Sequence, residues 1–178
     1  MRLFWSEGAD VPLDSVTAAT GLHKPSLYAA FGGKRGLYLE ALDAYVAEAR
    51  TRMDEALAKT PFADALRAFF EVDLDVFCAR EGARGCFLIS TASDAAGDDR
   101  QVRERVETVF AGMRRAMLER VEQAMEVGDL PAKIDPQAIT DLVASTHIAP
   151  SVEARAGRSR AELEAKVRRF LDFIGRAA

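Results

Sequence analysis

Residues 12–45 read PLDSVTAATGLHKPSLYAAFGGKRGLYLEALDAY, and this stretch decides the fold. Leu13, Val16 and Ala19 lie three residues apart, so they predict a short helix over residues 12–20 with one apolar side. The glycine that follows can take the left-handed backbone conformation that ends a helix. The stretch therefore begins with a short amphipathic helix and a tight turn.

A second short helix is predicted over residues 24–31. Pro25 suits its first turn, where the N–H that proline lacks would have no helical partner anyway. Leu27, Ala30 and Phe31 are expected to form its buried side. The outward face then carries Lys24, Ser26, Tyr28 and Ala29. Two short helices joined by a glycine turn, the second with polar groups outward, predict a helix-turn-helix whose second helix can enter the DNA major groove.

This pattern resembles the tetracycline-repressor (TetR) family of transcriptional regulators. Residues 22–34, LHKPSLYAAFGGK, are similar to the recognition helix of that family, with its Ser-Leu-Tyr, a Phe three residues later and a Lys after a two-residue break. The resemblance continues more loosely to the end of the chain. There, GCFL at residues 85–88 and EARAGRS at residues 153–159 resemble the AcrR-like branch of the family.

The resemblance implies an all-α fold of about nine helices in two domains. Residues 1–45 would form a three-helix DNA-binding domain with a truncated first helix, since Leu3-Phe4-Trp5 reads as only the second half of that helix. Residues 46–178 would form a helical ligand-binding and dimerisation domain, joined to the first by one long helix. Apolar spacing predicts the further helices at about residues 35–59, 61–80, 86–95, 98–127, 135–156 and 159–174.

The overall composition is that of an ordinary globular protein. Of 178 residues, 49% are apolar and 29% are charged, and the chain is long enough to bury a core. No apolar run approaches the ~18 residues of a membrane span, and the N-terminus lacks a signal-peptide pattern. Cys78 and Cys86 lie too close together in sequence to form a disulfide framework. We therefore expect a cytoplasmic protein without membrane attachment.

Charge is distributed unevenly along the chain. The net charge is −4, but residues 1–39 carry four basic and three acidic side chains, against 20 and 25 in the rest. Within residues 22–35, Lys24, Lys34 and Arg35 are not accompanied by any acid. Phosphate binding needs a locally positive face rather than a basic protein. The local charge therefore agrees with DNA binding by this stretch.

Candidate DNA contacts fall into two groups. Tyr28 and Lys34 are the expected phosphate contacts, because Tyr28 offers a hydroxyl and Lys34 adds a cation at a helix N-terminus; Thr17 is a further candidate. Base reading would fall to His23, Lys24, Pro25, Ser26 and Ala29. Lysine can donate to guanine, and proline or alanine can contact a thymine methyl group. The alternative is a solvated tyrosine and lysine on an ordinary surface.

A small-molecule cavity is expected in the second domain. Phenylalanine and methionine are abundant there, and such side chains often leave adaptable apolar cavities. The resemblance implies an inducer site between helices five, six, seven and eight. The candidate lining residues are Phe62, Leu66, Phe69, Phe70, Phe87, Phe110, Met113, Met117 and His147. The alternative for most of them is a plain core, and a satisfied core histidine is the preferred interpretation of His147. Cys86 is interpreted as a small buried hydrophobic residue rather than a redox sensor.

Helices eight and nine carry apolar stripes that one small domain cannot fully cover. These stripes are expected to pair with a second copy of the chain as a four-helix interface. The candidate interface residues are Leu142, Val143, Thr146, Leu163, Val167, Phe170 and Ile174. Pro150 should kink helix eight, because proline removes a helical hydrogen bond.

The sequence gives no support for catalysis. His23 and His147 are its two histidines, and neither has the spacing to cysteines or carboxylates that a metal site or a catalytic triad needs. We expect no enzyme activity and no cofactor. The favoured function is a ligand-responsive DNA-binding repressor, released from a palindromic operator by a small apolar molecule. The alternative is a helical small-molecule-binding protein without productive DNA binding.

Overall fold

The described part of the chain is helical. The structure, a computed structural model, describes residues 1–79, 85–94 and 99–177, and these ranges contain nine α-helices and no strand. The helices are α1 (Arg2–Glu7), α2 (Leu13–Thr20), α3 (Lys24–Phe31), α4 (Lys34–Leu57), α5 (Phe62–Phe77), α6 (Phe87–Asp94), α7 (Arg100–Glu126), α8 (Pro136–Arg155) and α9 (Arg160–Ala177). The all-α prediction is confirmed. The predicted helix ends at residues 80 and 95 and the predicted start at residue 98 lie outside the described residues.

The chain divides into two compact units. The first comprises Met1–Ala49 and Phe87–Glu107, and the second comprises Arg50–Cys86 and Thr108–Ala178. Helix α6 and the first part of α7 therefore pack with the N-terminal unit, whereas the sequence assigned them to the second domain. The functional boundary near residue 45 stays a prediction.

An aromatic cluster forms the core of the first unit. The Phe87 ring lies 5.6 Å from Tyr38, 5.8 Å from Tyr45 and 6.3 Å from Trp5, between ring centroids. Thr91 donates its hydroxyl to the carbonyl of Phe87 at 2.8 Å, so the Tyr38 hydroxyl, 2.7 Å away, donates to Thr91. These contacts tie α6 to α1 and α4, and they account for the position of Phe87 in this unit.

A buried arginine supports the second unit. Arg120 on α7 donates to two backbone carbonyls at the end of α4, that of its last residue, Leu57, at 2.9 Å and that of Lys59 at 3.0 Å. Carbonyls at a helix C-terminus lack helical partners. Its guanidinium also lies over the Phe62 ring, 5.2 Å from the ring centre. The backbone N–H of Phe62 donates to Asp129 at 2.8 Å. Phe62 thus anchors the start of α5.

Helix α8 continues through Pro150. It begins at an Asp135 cap, whose carboxylate accepts the Gln137 N–H at 2.9 Å, and it extends to Arg155 with Pro150 inside it. Pro150 is buried. The proline therefore does not end the helix, and the kink expected at Pro150 stays a prediction.

Candidate nucleic-acid interface and ligand cavity

The turn between α2 and α3 has the geometry that the sequence indicates. Gly21 ends α2 with a φ of 69°, a left-handed conformation that favours glycine, and its N–H bonds to the carbonyl of Thr17. Helix α3 then begins directly at Lys24 with Pro25 in its first turn. Leu27 is fully buried, so its side chain fixes the orientation of α3 within the first unit.

The outer face of α3 is polar and accessible. Tyr28 has an exposed fraction of 57%, and its ring rests against Gly33, where a Cβ would lie 3.2 Å from the Tyr28 Cε1 atom. The other predicted contact residues of this face are all exposed, namely His23, Lys24, Pro25, Ser26 and Ala29. Ala30, expected on the buried side, is exposed instead, and Phe31 is only half-buried. Leu27 is therefore the one residue of α3 whose side chain is fully buried.

Lys24 is held by a neighbouring carboxylate. Its ammonium lies 2.5 Å from Asp14 on α2, and both side chains are more than half exposed. The hydrogen bond from this ammonium to Asp14 raises the pKa of Lys24 above its ordinary value. Since the pair is open to solvent, it stabilises the fold little. Lys24 must leave Asp14, or share it, before it can donate to a base or phosphate.

Lys34, predicted as a phosphate contact, is not the fully solvated lysine of the alternative interpretation. Its Nζ donates to the backbone carbonyl of Val11 at 3.0 Å, and the residue is half-buried. This bond joins the first turn of α4 to the segment before α2. An ammonium has three N–H donors, so further donors remain for a phosphate at the N-terminus of α4.

Thr17 and His23 have weaker support as DNA contacts. Thr17 is half-buried and donates its hydroxyl to the carbonyl of Asp14 at 2.9 Å, one turn earlier on α2. The oxygen can still accept a hydrogen bond, but it cannot donate to phosphate in this arrangement. His23 occupies the N-cap position of α3 and makes no side-chain capping bond.

The second unit contains an apolar cavity of about 230 Å³ between α4, α5, α7 and α8. Five predicted lining residues are brought together there: Phe69, Phe110, Met113, Met117 and His147. The sequence analysis missed Met53, Arg114, Thr140, Val143, Ala144 and Ile148. The α8 members recur every three or four residues, so helical spacing around His147 was the signal that could have found them.

The remaining predicted lining residues lie elsewhere. Phe62 and Leu66 are fully buried in the core of the second unit, and the Phe70 ring packs edge-on against Phe170 at 5.6 Å. Phe87 belongs to the aromatic cluster of the first unit. The prediction for these four is therefore corrected. Their apolar character required burial, but burial alone does not distinguish a cavity wall from a filled core.

His147, interpreted from the sequence as a satisfied core histidine, is part of a buried ion pair. Its Nδ1 lies 2.6 Å from a carboxylate oxygen of Asp73 on α5. Burial alone would lower the pKa of His147, but the adjacent carboxylate more than reverses this effect and raises the pKa from 6.5 to about 10. The imidazole is therefore protonated at neutral pH, and it donates to Asp73.

The predicted dimer interface also needs correction. Four of its members are buried within the single chain and cannot present an outer face: Val143, Leu163, Val167 and Ile174. Thr146 and Phe170 are half-buried. Leu142 is exposed, as expected, and three apolar side chains that the sequence analysis missed are exposed with it: Ile148, Val152 and Phe173. We call these four residues the α8–α9 apolar face.

Two negative findings apply to the described residues. Within residues 1–79, 85–94 and 99–177, no group of three or more histidine, cysteine or acidic side chains could hold a metal ion. In the same ranges, no helix is both long and apolar enough to cross a membrane.

The short helices α2 and α3, joined by the turn at Gly21 and with the polar face of α3 exposed, place this chain in the class of helix-turn-helix proteins. Comparison with known proteins supports this assignment. Residues 63–171 match the family described as tetracyclin repressor-like, C-terminal domain. The HTH-type transcriptional repressor ComR of Escherichia coli is 25% identical over 166 residues, which cover 92% of this chain and 79% of ComR.

Solved structures give the same result. A cysteine mutant of the TetR family transcriptional regulator CifR, complexed with 26 bp double-strand operator DNA, has a TM-score of 0.87 and 29% identity, covering 96% of this chain and 91% of that chain. A TetR transcriptional regulator from Chloroflexus aurantiacus has a TM-score of 0.85 and 26% identity, covering 97% and 88%. The chain belongs to the TetR family of transcriptional regulators.

Proposed function

We propose that this protein is a repressor that binds a palindromic operator as a homodimer and is released when a small apolar molecule fills the cavity. The observation that carries the proposal is the outer face of α3, where Lys24, Ser26, Tyr28 and Ala29 are exposed above buried Leu27. Such a face suits insertion into the major groove. No step of this function needs a catalytic group or a cofactor, and we place it in the cytoplasm.

The relatives support the DNA-binding part of the proposal. CifR is described in complex with operator DNA, and ComR is described as a transcriptional repressor. The positive charges of this chain near α3 support the same function, since phosphate contacts supply much of the affinity of such proteins for DNA.

Two long helices support the release part of the proposal. Helix α4 carries Met53 of the cavity wall and begins at Lys34, while α7 carries Phe110, Met113 and Met117 of the wall and begins in the first compact unit. A ligand that favours one packing of these helices would shift the population of DNA-binding geometries. Ligand affinity and DNA affinity are then reciprocally coupled.

Mobility-shift titration of the DNA upstream of the gene tests the proposal. We expect the protein to retard this DNA at concentrations at least about 10³-fold lower than those needed for scrambled DNA of equal length, as for specific regulators in general. Equal affinity for both DNAs would contradict it. That outcome would favour the alternative, a small-molecule-binding protein without productive DNA binding.

Lys34→Ala should weaken binding to operator and scrambled DNA alike. Each lost phosphate contact lowers the slope of log affinity against log salt by about 0.9, so two subunits should lower it by about 1.8. The slope is measured by titrations at several salt concentrations. The variant also loses the bond to Val11, so circular dichroism must first show native helix content.

Two further variants make the Lys34 result specific. Lys59→Ala removes an exposed lysine of the second unit and should leave the salt slope unchanged. Lys24→Ala should instead cost about 1–3 kcal/mol at its own base pair and relax the preference there. A Lys34→Ala protein with the wild-type salt slope would show that Lys34 makes no phosphate contact.

Phe173→Glu should convert the dimer to monomers. Phe173 has an exposed fraction of 61% in the single chain, and in a dimer through the α8–α9 apolar face its replacement would bury a charge without a partner. Sedimentation at micromolar concentration measures the change. Arg176→Glu, an exposed change of charge one turn further on, is the control. A monomeric wild type, or a dimeric Phe173→Glu, would contradict this interface.

A further inference from the structure

The DNA-binding part of the chain holds one acidic side chain in an otherwise basic segment. Asp14 is the one acid among residues 11–39, which also contain Lys24, Lys34 and Arg35. It lies in the first turn of α2, and its side chain is 80% exposed. A negative charge that faces DNA is repelled by the phosphates, so it lowers the affinity for any sequence. The position of Asp14 is therefore unfavourable for binding DNA in general.

The carboxylate of Asp14 contacts the first residue of α3. The Lys24 ammonium lies 2.5 Å from a carboxylate oxygen of Asp14, and the Lys24 side chain is 54% exposed. This contact joins α2 to the outer face of α3. A DNA group that reaches the Lys24 ammonium therefore also meets the Asp14 carboxylate. Since both side chains are open to solvent, the pair adds little to the stability of the fold.

The pair changes what Lys24 can contribute to DNA binding. A free lysine binds any phosphate, because it neutralises the phosphate charge and releases counterions. In the pair the carboxylate already neutralises the ammonium, so most of this gain is lost. The hydrogen-bonding capacity remains, since one of the three N–H donors is directed to Asp14 and the others can be donated to N7 and O6 of a guanine. The pair therefore favours a base edge over a phosphate.

We propose that Asp14 is a specificity-determining residue, whose carboxylate holds Lys24 at the outer face of α3 and prevents it from serving as a sequence-independent phosphate contact. Lys24 then adds affinity only where the operator presents a base acceptor. Asp14 acts through Lys24 and is a positioning residue. This inference rests on the proposed function, in which α3 reads operator DNA.

Asp14→Asn tests the proposal, because it removes the charge with little change of shape at an exposed position. Circular dichroism should show native helix content. In titrations against scrambled DNA the variant should bind at least about tenfold more tightly than wild type, with a salt slope steeper by up to about 1.8 for two subunits. The affinity for upstream DNA should change less, so the ratio of the two affinities falls. An equal change for both DNAs, or none for scrambled DNA, would overturn the proposal.

A double-variant cycle assigns the effect to Lys24. The gain of Asp14→Asn on scrambled DNA should be several-fold smaller when Lys24 is replaced by alanine, because no ammonium is then released to bind a phosphate. An equal gain in both backgrounds would show that Asp14 only repels DNA, and it would contradict the proposal.

Asp54→Asn is the matched control. Asp54 belongs to the second unit, is 58% exposed and pairs with Arg50 at 3.7 Å, so the same charge is removed from another exposed ion pair. This variant should keep both affinities and their ratio. The outcomes also separate the inference from the proposed function. A wild type that binds both DNAs equally contradicts the proposed function, whereas a wild-type preference that Asp14→Asn retains in full contradicts only the role of Asp14.

Discussion

Gly36→Ala is expected to disrupt the helix-turn-helix and abolish DNA binding. A Cβ at Gly36 would lie 1.8 Å from the backbone carbonyl oxygen of Phe31, at the end of α3. A backbone atom cannot rotate away as a side chain can, so α3 and α4 would have to separate. Overpacking of this kind costs about 3 kcal/mol or more. Urea unfolding followed by circular dichroism measures the stability, and mobility shift measures DNA binding.

Gly112→Ala is the matched control for this variant. Gly112 also lies inside a helix, α7, but a Cβ there would meet no atom within 4 Å. Alanine in an open helical position stabilises by about 1 kcal/mol relative to glycine. We therefore expect Gly36→Ala to lower the free energy of unfolding and Gly112→Ala to raise it. A Gly36→Ala protein with wild-type stability and operator affinity would contradict the close approach of α3 and α4.

The second large effect on the free energy of unfolding is expected for variants of the buried His147–Asp73 ion pair. His147→Leu leaves the Asp73 carboxylate buried without its partner, and breaking such a pair from one side costs about 3–5 kcal/mol. Asp73→Leu/His147→Phe removes both charges and should remain within about 1 kcal/mol of wild type, because apolar replacement of both partners is often neutral. Urea unfolding of the single and double variants measures this coupling. Additive losses would show that the two residues act independently.

The same pair predicts a dependence of stability on pH. Because the pKa of His147 is about 10 in the folded protein and 6.5 is its ordinary value, the pair stabilises the fold fully below about pH 6.5, and this stabilisation is lost as pH rises towards 10. The slope should reach about 1.4 kcal/mol per pH unit within this window. Unfolding free energies across the window should show this slope in wild type and lack it in Asp73→Leu/His147→Phe. If the free energies of unfolding of the two proteins changed with pH in the same way, the predicted contribution of the pair would be contradicted.

The sequence predicted the helices well, because their signals are local. Apolar spacing, Gly21 after α2 and Pro25 at the start of α3 each act within one or two helical turns. The role of Gly36 was not predictable in this way. It depends on the approach of two backbones across the break at Gly32-Gly33, and a glycine inside an apolar pattern does not reveal what packs against it.

The candidate sites were predicted only in part, since they depend on contacts distant in sequence. Exposure of the α3 face followed from helical spacing. The Lys34 bond to Val11 and the His147 pair with Asp73 join residues 23 and 74 positions apart. The spacing of apolar residues within one helix does not predict such contacts. Likewise, Phe87 and Phe110 are both apolar residues of helices, and only packing assigns one to a filled core and the other to a cavity wall.

The central claim is that α3 reads operator DNA, and a titration of labelled upstream DNA with Ala29→Asp tests it most directly. Ala29 is exposed on the face of α3, so aspartate should leave the fold intact while placing a negative charge against the DNA. Ala161→Asp, an exposed alanine in the first turn of α9, is the control. We predict that wild type and Ala161→Asp bind the DNA with equal affinity and that Ala29→Asp loses at least about 100-fold, or about 2.7 kcal/mol. Wild-type affinity of a folded, dimeric Ala29→Asp would contradict the assignment of α3 as the recognition helix.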